Sequence, residues 1–246
     1  MLLAVDSNRS TSRPTTGIAT TTMLLTIPKL LNPAQLDKIR GLLAEAEFVD
    51  GRLTAGRAAA KVKRNEEMRV EPERLQLLIR ILMASLGHHE TFRFGALPHR
   101  VADPIFARYR PGMTYGDHVD DPIMGSTGPR FRSDVSMTVF LSLPEDYDGG
   151  ELVMRTAFGD RRVKLPAGDA VIYPSSSLHH VAEVTRGERL VALTWIQSYV
   201  RDPARRELLY ELNLAREHLQ KESPGAAHTG QVDRSYANLV RMWSEV

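Results

Sequence analysis

Two short stretches of the chain carry the residue types that metal chemistry needs. His118 and Asp120 are separated by a single residue, and on a β-strand residues i and i+2 point to the same face. An imidazole beside a carboxylate makes up two-thirds of the 2-His-1-carboxylate triad that holds non-haem Fe(II). The segment 173–181 supplies a distant histidine that folding could bring to this pair. We therefore expect a metal site built on His118 and Asp120.

The third ligand and a nearby cation follow later in the chain. Either His179 or His180 could complete the site, and if His179 does so, Arg189 follows the third ligand after ten residues. Adjacent strand residues face opposite ways, so His180 would then point outward. Arg189 opens a strand that we expect to neighbour the strand of His179. A guanidinium is always charged and rigidly forked, which suits it to bind a carboxylate through two parallel hydrogen bonds.

The metal ligands and the arginine together point to a bidentate anionic ligand. Iron held by His118, Asp120 and His179 would keep three open coordination positions. A 2-oxo acid would fill two of them through its carboxylate and keto oxygens and leave one for O₂. A second carboxylate on that acid would need a cation deeper in the barrel, where we expect Arg189. The joint pattern is far more specific than the His-x-Asp motif alone.

The composition of the 246 residues excludes several other kinds of site. The chain has no cysteine, which rules out disulfides, thiolate-bound zinc, iron–sulfur clusters and a cysteine nucleophile. The formal net charge is only +2, and no apolar run approaches the roughly 18–20 residues of a membrane span. We expect no nucleic-acid partner, no membrane partner and a cytoplasmic protein. The basic residues Lys61, Lys63 and Arg64 are expected to form a solvated face.

The chain divides into three predicted regions. Residues 1–22 are rich in Ser and Thr and are expected to form a disordered tail. Residues 23–200 are predicted to form one domain, with N-terminal helices at about 33–46 and 72–86. Residues 201–246 are predicted to form a C-terminal helical extension, which would pack on the barrel or contribute to a homodimer.

Short strands fill the middle of the chain. About eight strand-like runs at regular spacing predict a mainly β protein with flanking helices, built on a double-stranded β-helix (jelly-roll) core. The Gly- and Pro-rich loop 122–130 is expected to be mobile, as a lid over the site or as a plain crossover. The predicted strands are 105–109, 115–119, 134–143, 150–154, 161–165, 170–173, 179–184 and 190–198.

Six segments match the motifs of one enzyme family. They are ARY at 107–109, YGDHVD at 115–120, YDGGEL at 147–152, LPAGD at 165–169, YPSSSLH at 173–179 and TWIQ at 194–197. From about Met23 to the C-terminus, the chain resembles the Fe(II)/2-oxoglutarate-dependent dioxygenases of the prolyl-4-hydroxylase-like group. It is most similar to the bacterial PKHD-type hydroxylases.

The resemblance assigns roles to five residues. It implies that His118, Asp120 and His179 bind Fe(II) and that Arg189 binds the 5-carboxylate of 2-oxoglutarate. Tyr109 matches a family tyrosine that often lies within hydrogen-bonding reach of this cosubstrate. Members of the family commonly use ascorbate to return the iron to Fe(II).

The chain departs from the family pattern at one point of the cosubstrate site. In some relatives a second tyrosine, on the strand that matches 134–143, also holds the 5-carboxylate. This chain has no tyrosine there, and Thr138 is a candidate substitute. The residue that accompanies Arg189 at the 5-carboxylate is therefore open.

The activity implied by the resemblance is oxidation of a substrate C–H bond, with conversion of 2-oxoglutarate and O₂ to succinate and CO₂. The substrate is open between a peptidyl group and a small molecule, including one linked to iron uptake. Two alternatives from other classes are a non-catalytic, cupin-like module that senses or stores a metal and a His-Asp-His zinc hydrolase. The hydrolase would need a general base beside the metal, and Glu183 is the candidate.

Overall fold

The computed structural model describes residues 23–56, 59–125 and 130–246. The expected disordered tail at 1–22 and part of the expected mobile loop at 122–130 lie outside the described residues. The described part contains five α-helices, which are α1 (Pro33–Ala44), α2 (Pro72–His88), α3 (Glu90–Ala96), α4 (Pro203–Glu222) and α5 (Ala227–Trp243).

Short β-strands make up most of the rest, and each pairing among the described residues is antiparallel. In chain order the strands are β1 (Leu25–Ile27), β2 (Phe48–Asp50), β3 (Lys63–Arg64), β4 (Glu66–Met68), β5 (Pro98–Val101), β6 (Ile105–Tyr109), β7 (Thr114–His118), β8 (Ile123–Met124), β9 (Phe131–Arg132), β10 (Val135–Phe140), β11 (Tyr147–Gly149), β12 (Leu152–Thr156), β13 (Gly159–Val163), β14 (Ala170–Pro174), β15 (His179–Val181), β16 (Val184–Gly187) and β17 (Arg189–Ser198).

Two sheets pack face to face. The major sheet has the strand order β1-β14-β10-β17-β6-β4-β2, with β5 also paired to β17, and the minor sheet has the order β13-β12-β15-β7-β3. Side chains from both sheets, such as Val171 and Val191 of the major sheet and Leu152 and Val181 of the minor sheet, form one buried cluster. Because side chains alternate along a strand, the residues between these on the major sheet face the other way.

The opposite face of the major sheet is covered by helices. Buried residues of β10, such as Met137, share a second cluster with Ile39 of α1 and with Leu78 and Leu82 of α2. Helix α1 begins with a capping box, in which Asn32 and Gln35 exchange hydrogen bonds between side chain and backbone. The C-terminal helices α4 and α5 pack on each other and, through α4, on α3. The helices thus hold the sheet whose inner face lines the site.

The predicted fold class, a jelly-roll core with N-terminal helices and a C-terminal helical extension, is confirmed. Differences concern short elements. Helix α3 and the strands β3, β4, β5, β8, β9, β11 and β16 were not predicted, and α5 is a helix of 17 residues rather than a short one. The domain boundary near residue 200 stays a prediction. Among the described helices, none is long and apolar enough to cross a membrane.

Candidate active site

His118 and His179 meet across two paired strands of the minor sheet. In the antiparallel pairing of β7 with β15, His118 lies directly opposite His179, and their ring centroids are 4.3 Å apart. Such cross-strand neighbours on one face are close enough for their side chains to contact one another. Residues far apart in sequence are therefore joined by strand pairing alone.

Asp120 joins the two histidines from outside the strand. The prediction that His118 and Asp120 share a strand was wrong, since β7 ends at His118. The Asp120 carboxylate nevertheless reaches the site: its Oδ1 lies 3.9 Å from Nε2 of His118, and its Oδ2 lies 4.0 Å from Nε2 of His179. The structure thus brings together the three side chains that were predicted to bind metal.

Both histidines are held by the same local contact. Nδ1 of His118 lies 2.8 Å from the carbonyl oxygen of Gly116, and Nδ1 of His179 lies 2.9 Å from that of Ser177. A carbonyl oxygen only accepts hydrogen bonds, so each Nδ1 must carry the proton. The lone pair of each imidazole is therefore on Nε2, the atom that faces Asp120.

The charge states of the site suit a divalent metal ion. Burial, with the adjacent His179 as the next contribution, lowers the pKa of His118 from its usual 6.5 to about 4, so this imidazole is neutral at pH 7. The Ser136 hydroxyl donates a hydrogen bond to Oδ2 of Asp120 and also lies 2.7 Å from the hydroxyl oxygen of Ser175. One ligand atom from each of His118, Asp120 and His179 lies within 4.8 Å of the others, so one ion could contact all three.

His180 occupies the opposite face of β15. Its Nδ1 lies 2.9 Å from a carboxylate oxygen of Asp117, which is also paired with Arg155. Strand alternation accounts for this placement, because neighbouring residues of β15 must point to opposite faces. His180 is therefore separated from the cluster of His118, Asp120 and His179.

Arg189 faces the cluster from the other sheet. The expectation that its strand neighbours that of His179 was wrong: β17 belongs to the major sheet, where Arg189 pairs in register with Tyr109 of β6. Arg189 is 1% exposed, and none of its guanidinium nitrogens has a hydrogen-bond partner within the described ranges. Its charge lies 5.0 Å from the ring centroid of Tyr109 and 5.7 Å from that of Phe140. A buried guanidinium in this state favours binding of an anion.

Tyr109 and Tyr173 stand on the same inner face of the major sheet. Burial raises the pKa of Tyr109 to about 12, and the charge of Arg189 opposes this shift. Burial also raises the pKa of Tyr173, with the negative charge of Asp120 adding to the effect. Both phenols therefore stay protonated at neutral pH and can donate hydrogen bonds to an anion.

One cavity connects the metal-binding candidates with Arg189. Its volume is about 140 Å³, several times the space that one water molecule needs. The space is enough for a small dicarboxylate. The polar residues discussed above that line this cavity are Tyr109, His118, Asp120, Ser136, Thr138, Tyr173, His179 and Arg189.

Two residues of a polar N-terminal segment, Lys63 and Glu67, form another part of the cavity wall. Lys63, Asn65 and Glu67 alternate with exposed or half-buried residues and are themselves buried. The Lys63 ammonium contacts the Glu67 carboxylate, which also accepts a hydrogen bond from Thr54. The expectation of a solvated Lys63 was wrong. The spacing of three polar residues at i, i+2 and i+4 could have indicated an inward polar face, but the sequence alone does not show which face is buried.

The buried pair of Lys63 and Glu67 gives a test of stability. Lys63→Met or Glu67→Leu alone should each lower the free energy of unfolding by about 3–5 kcal/mol, because each leaves one buried charge without its partner. The double variant should recover most of that loss. Urea unfolding measures all three values.

The exposed pair of Arg186 and Asp148 serves as the control for these variants, since both side chains are 58% exposed. Removing this exposed pair should lower the free energy of unfolding by less than about 1 kcal/mol. Additive losses at Lys63 and Glu67 would contradict the inference that the two charges depend on each other.

The lowered pKa of His118 gives a second test, on metal-free protein. Between the usual 6.5 and about 4, the unfolded chain binds a proton that folded His118 does not. Stability from this residue is therefore complete above pH 6.5 and is lost as the pH falls towards 4. The loss is on the order of 3 kcal/mol, at 1.36 kcal/mol per pKa unit.

His118→Gln should flatten this part of the curve of unfolding free energy against pH, measured by urea unfolding in chelator. His228→Gln, at an exposed position, should leave the curve as in the wild type. An unchanged slope in His118→Gln would show that another group carries the effect.

Comparisons with known proteins agree with this geometry. Residues 104–197 match the family model described as the 2OG-Fe(II) oxygenase superfamily, and residues 203–245 match the PKHD-type hydroxylase C-terminal domain. The viral collagen prolyl hydroxylase of Paramecium Bursaria Chlorella virus-1, solved as a 2OG complex, has a similar fold. Its TM-score is 0.51 at 18% identity, over 74% of this chain and 99% of that chain.

Curated relatives match over nearly the whole chain. A PKHD-type hydroxylase of Thioalkalivibrio sulfidiphilus is 55% identical over 91% of this chain and 100% of its own length. A PKHD-type hydroxylase of Paracoccus denitrificans is 47% identical, again over 91% of this chain and 100% of the relative. The chain therefore belongs to the PKHD-type hydroxylases of the 2OG-Fe(II) oxygenase superfamily, and it is an oxidoreductase of the dioxygenase class.

Proposed function

We propose that His118, Asp120 and His179 hold the Fe(II) of this hydroxylase and that Arg189 holds the far carboxylate of 2-oxoglutarate. The observation that carries the proposal is the buried guanidinium of Arg189, which has no anion beside it among the described residues and opens into the cavity of the three metal-binding candidates. A 2-oxo dicarboxylate is the ligand that would serve both ends of this cavity at once. Iron bound there would supply the redox chemistry that couples decarboxylation of 2-oxoglutarate to oxidation of a substrate C–H bond.

The chain's own residues have three tasks in this reaction. His118 and His179 present neutral Nε2 atoms, and Asp120 presents a carboxylate whose Oδ2 is oriented by Ser136. Arg189 fixes the cosubstrate end that does not react. The surrounding walls exclude water, which strengthens each electrostatic contact within the cavity.

Tyr109 is proposed as a second contact of the cosubstrate. It pairs in register with Arg189 across β6 and β17, lines the cavity, and keeps its proton at neutral pH because burial raises its pKa to about 12. A protonated phenol beside a guanidinium can donate one more hydrogen bond to a bound carboxylate. Ascorbate as the reductant of the iron, and a homodimer, remain predictions of the resemblance and of the helical extension.

The alternative activities have less support from the site. A module that only binds metal gives no use for a buried arginine in the same cavity. A zinc hydrolase would need a general base near the ion, but Glu183 is exposed, and its carbonyl accepts a hydrogen bond from Gly150. The hydroxylase assignment gives a ligand-binding role both to the three metal-binding candidates and to Arg189.

The substrate is proposed to be uncharged where it enters the cavity. Lys63 and Glu67 form a pair without net charge on the wall, and they can offer a donor and an acceptor to a polar group. A peptidyl group and a neutral small molecule both meet this condition.

Asp120→Ala should abolish succinate formation from 2-oxoglutarate, because it removes the charged ligand of the proposed metal site. The assay uses purified protein with Fe(II) and ascorbate and no added substrate, and it follows slow uncoupled turnover by succinate release. Iron content after desalting gives a second readout.

Asp117→Ala is the matched control, since Asp117 lies three residues before Asp120 and pairs with Arg155 on the outer face. It should keep both iron and turnover. Wild-type succinate formation in Asp120→Ala would remove Asp120 from the proposed ligand set.

Arg189→Met should raise the KM for 2-oxoglutarate by roughly 10–100-fold, the loss expected when charge-assisted hydrogen bonds to a carboxylate disappear. The maximal uncoupled rate should change much less, because the residue contacts the unreactive end. Arg186→Met, an exposed arginine three residues earlier, should leave the KM unchanged. An unaffected KM in Arg189→Met would exclude the proposed role.

A further inference from the structure

The distal carboxylate of the cosubstrate needs more than one donor in a buried site. A carboxylate has two oxygens and about four acceptor positions, and one guanidinium fork uses two of them. Away from water, the remaining positions call for further hydrogen-bond donors from the protein. A second donor should therefore lie beside Arg189.

The hydroxyl of Thr138 is already engaged by another side chain. It takes part in a side-chain hydrogen bond with Tyr173, one of the contacts that act on the pKa of that phenol after burial and Asp120. The next residue on the same face of β10 is Phe140. It has no hydroxyl, and its ring centroid lies 5.7 Å from the guanidinium of Arg189. The major sheet thus leaves this side of Arg189 without a polar group from β10.

Tyr147 lies beside Arg189 from another strand. It belongs to β11, is 1% exposed, and its hydroxyl has no hydrogen-bond partner in the part of the chain that the structure describes. A Cβ atom built on Gly150 would lie 3.0 Å from Cδ of Arg189 and 3.1 Å from Cε2 of Tyr147. The two side chains therefore lie against the same glycine, next to each other.

The ring of Tyr147 is fixed in this position. Lys164 donates a hydrogen bond of 2.7 Å to the Tyr147 carbonyl oxygen, and its ammonium lies 4.0 Å from the ring centroid. Burial raises the pKa of the Tyr147 hydroxyl, and the charge of Arg189 opposes this shift, as it does for a neighbouring group. The phenol is protonated at neutral pH and free to donate.

A purely structural role would not need the hydroxyl. A phenylalanine would fill the same volume and would avoid burying a polar atom without a partner, which is unfavourable. A buried phenol beside a guanidinium that has no anion among the described residues is the arrangement expected when both bind one shared anion.

We propose that the Tyr147 hydroxyl is the second anchor of the distal carboxylate of 2-oxoglutarate, donating to it beside Arg189. The inference rests on the proposed role of Arg189. It assigns to β11 the contact that the sequence of β10 lacks. Tyr147 would then help to distinguish dicarboxylic from monocarboxylic 2-oxo acids.

The test measures binding by calorimetry to Fe(II)-loaded protein without oxygen, and it uses two ligands. 2-Oxoglutarate has the distal carboxylate, and 2-oxobutyrate lacks it. Tyr147→Phe should weaken 2-oxoglutarate binding by about tenfold, the effect of losing one hydrogen bond to a charged group, and should leave 2-oxobutyrate binding unchanged. A folding defect would weaken the binding of both ligands, so the ratio of the two affinities separates a lost contact from a misfolded variant.

Tyr236→Phe is the matched control, because Tyr236 is also a buried tyrosine whose ring lies beside an arginine, 4.6 Å from Arg216, in the C-terminal helices. It should bind both ligands as the wild type does. Thermal unfolding in the presence of each ligand gives an independent readout of the same affinities.

Wild-type binding of both ligands by Tyr147→Phe would overturn the inference, and so would an equal loss for both, which would show a structural role only. Arg189→Met separates this failure from that of the proposed function. If Arg189→Met loses the preference for 2-oxoglutarate and Tyr147→Phe keeps it, only the role of Tyr147 is wrong. If Arg189→Met also keeps the preference, the proposed binding site itself is wrong.

Discussion

The burial of one guanidinium without an anion is the constraint on which the rest of the site depends. Arg189 is enclosed between the two sheets, and its nitrogens have no hydrogen-bond partner in the described structure. An uncompensated buried charge costs a fold about 3–5 kcal/mol when it is created by removing a partner. Contacts with the rings of Tyr109 and Phe140 offset part of this cost. The remainder favours binding of an anion, since the site does not have to be desolvated again when the ligand arrives.

The same strands of the major sheet build both the core and the site. Along β10, Met137 and the residues that share its face pack on the helices, while Ser136 and Thr138 face the cavity. Strand alternation makes this division automatic once the helices cover one face. The N-terminal helices therefore act on the chemistry indirectly, because they fix the register of the face that carries the polar residues.

Much of this arrangement could be read from the sequence, and the limits have physical causes. The strand pattern predicted the jelly roll, and a joint spacing of His118, Asp120, His179 and Arg189 indicated residues that the structure does bring to one cavity. Local rules could not show that β7 ends before Asp120 or that Arg189 stands on the sheet opposite His179. Both facts depend on which strands pair, and pairing is set by long-range packing rather than by neighbours in sequence.

The inward polar residues were missed for the same reason. The segment that begins at Lys63 shows charged and amide side chains at every second position, a pattern equally compatible with a solvated edge strand. That face turns towards the cavity only because β3 pairs with β7 and β4 pairs with β6. Likewise, nothing near Tyr147 in sequence indicates Arg189, which is brought beside it by folding around Gly150.

The two ends of the cavity belong to different sheets, and this has a mechanical consequence. The histidines stand on the minor sheet and are oriented by their own backbone carbonyls, so their tautomers do not depend on the major sheet. Arg189 and Tyr109 stand on the major sheet, and Ser136 reaches from that sheet to Asp120. A cosubstrate bound at both ends would therefore connect the two sheets through its own carbon chain. A ligand that binds only the folded state stabilises that state. A cosubstrate bound at both ends of the cavity should therefore resist separation of the two sheets more strongly than a ligand bound at one end alone.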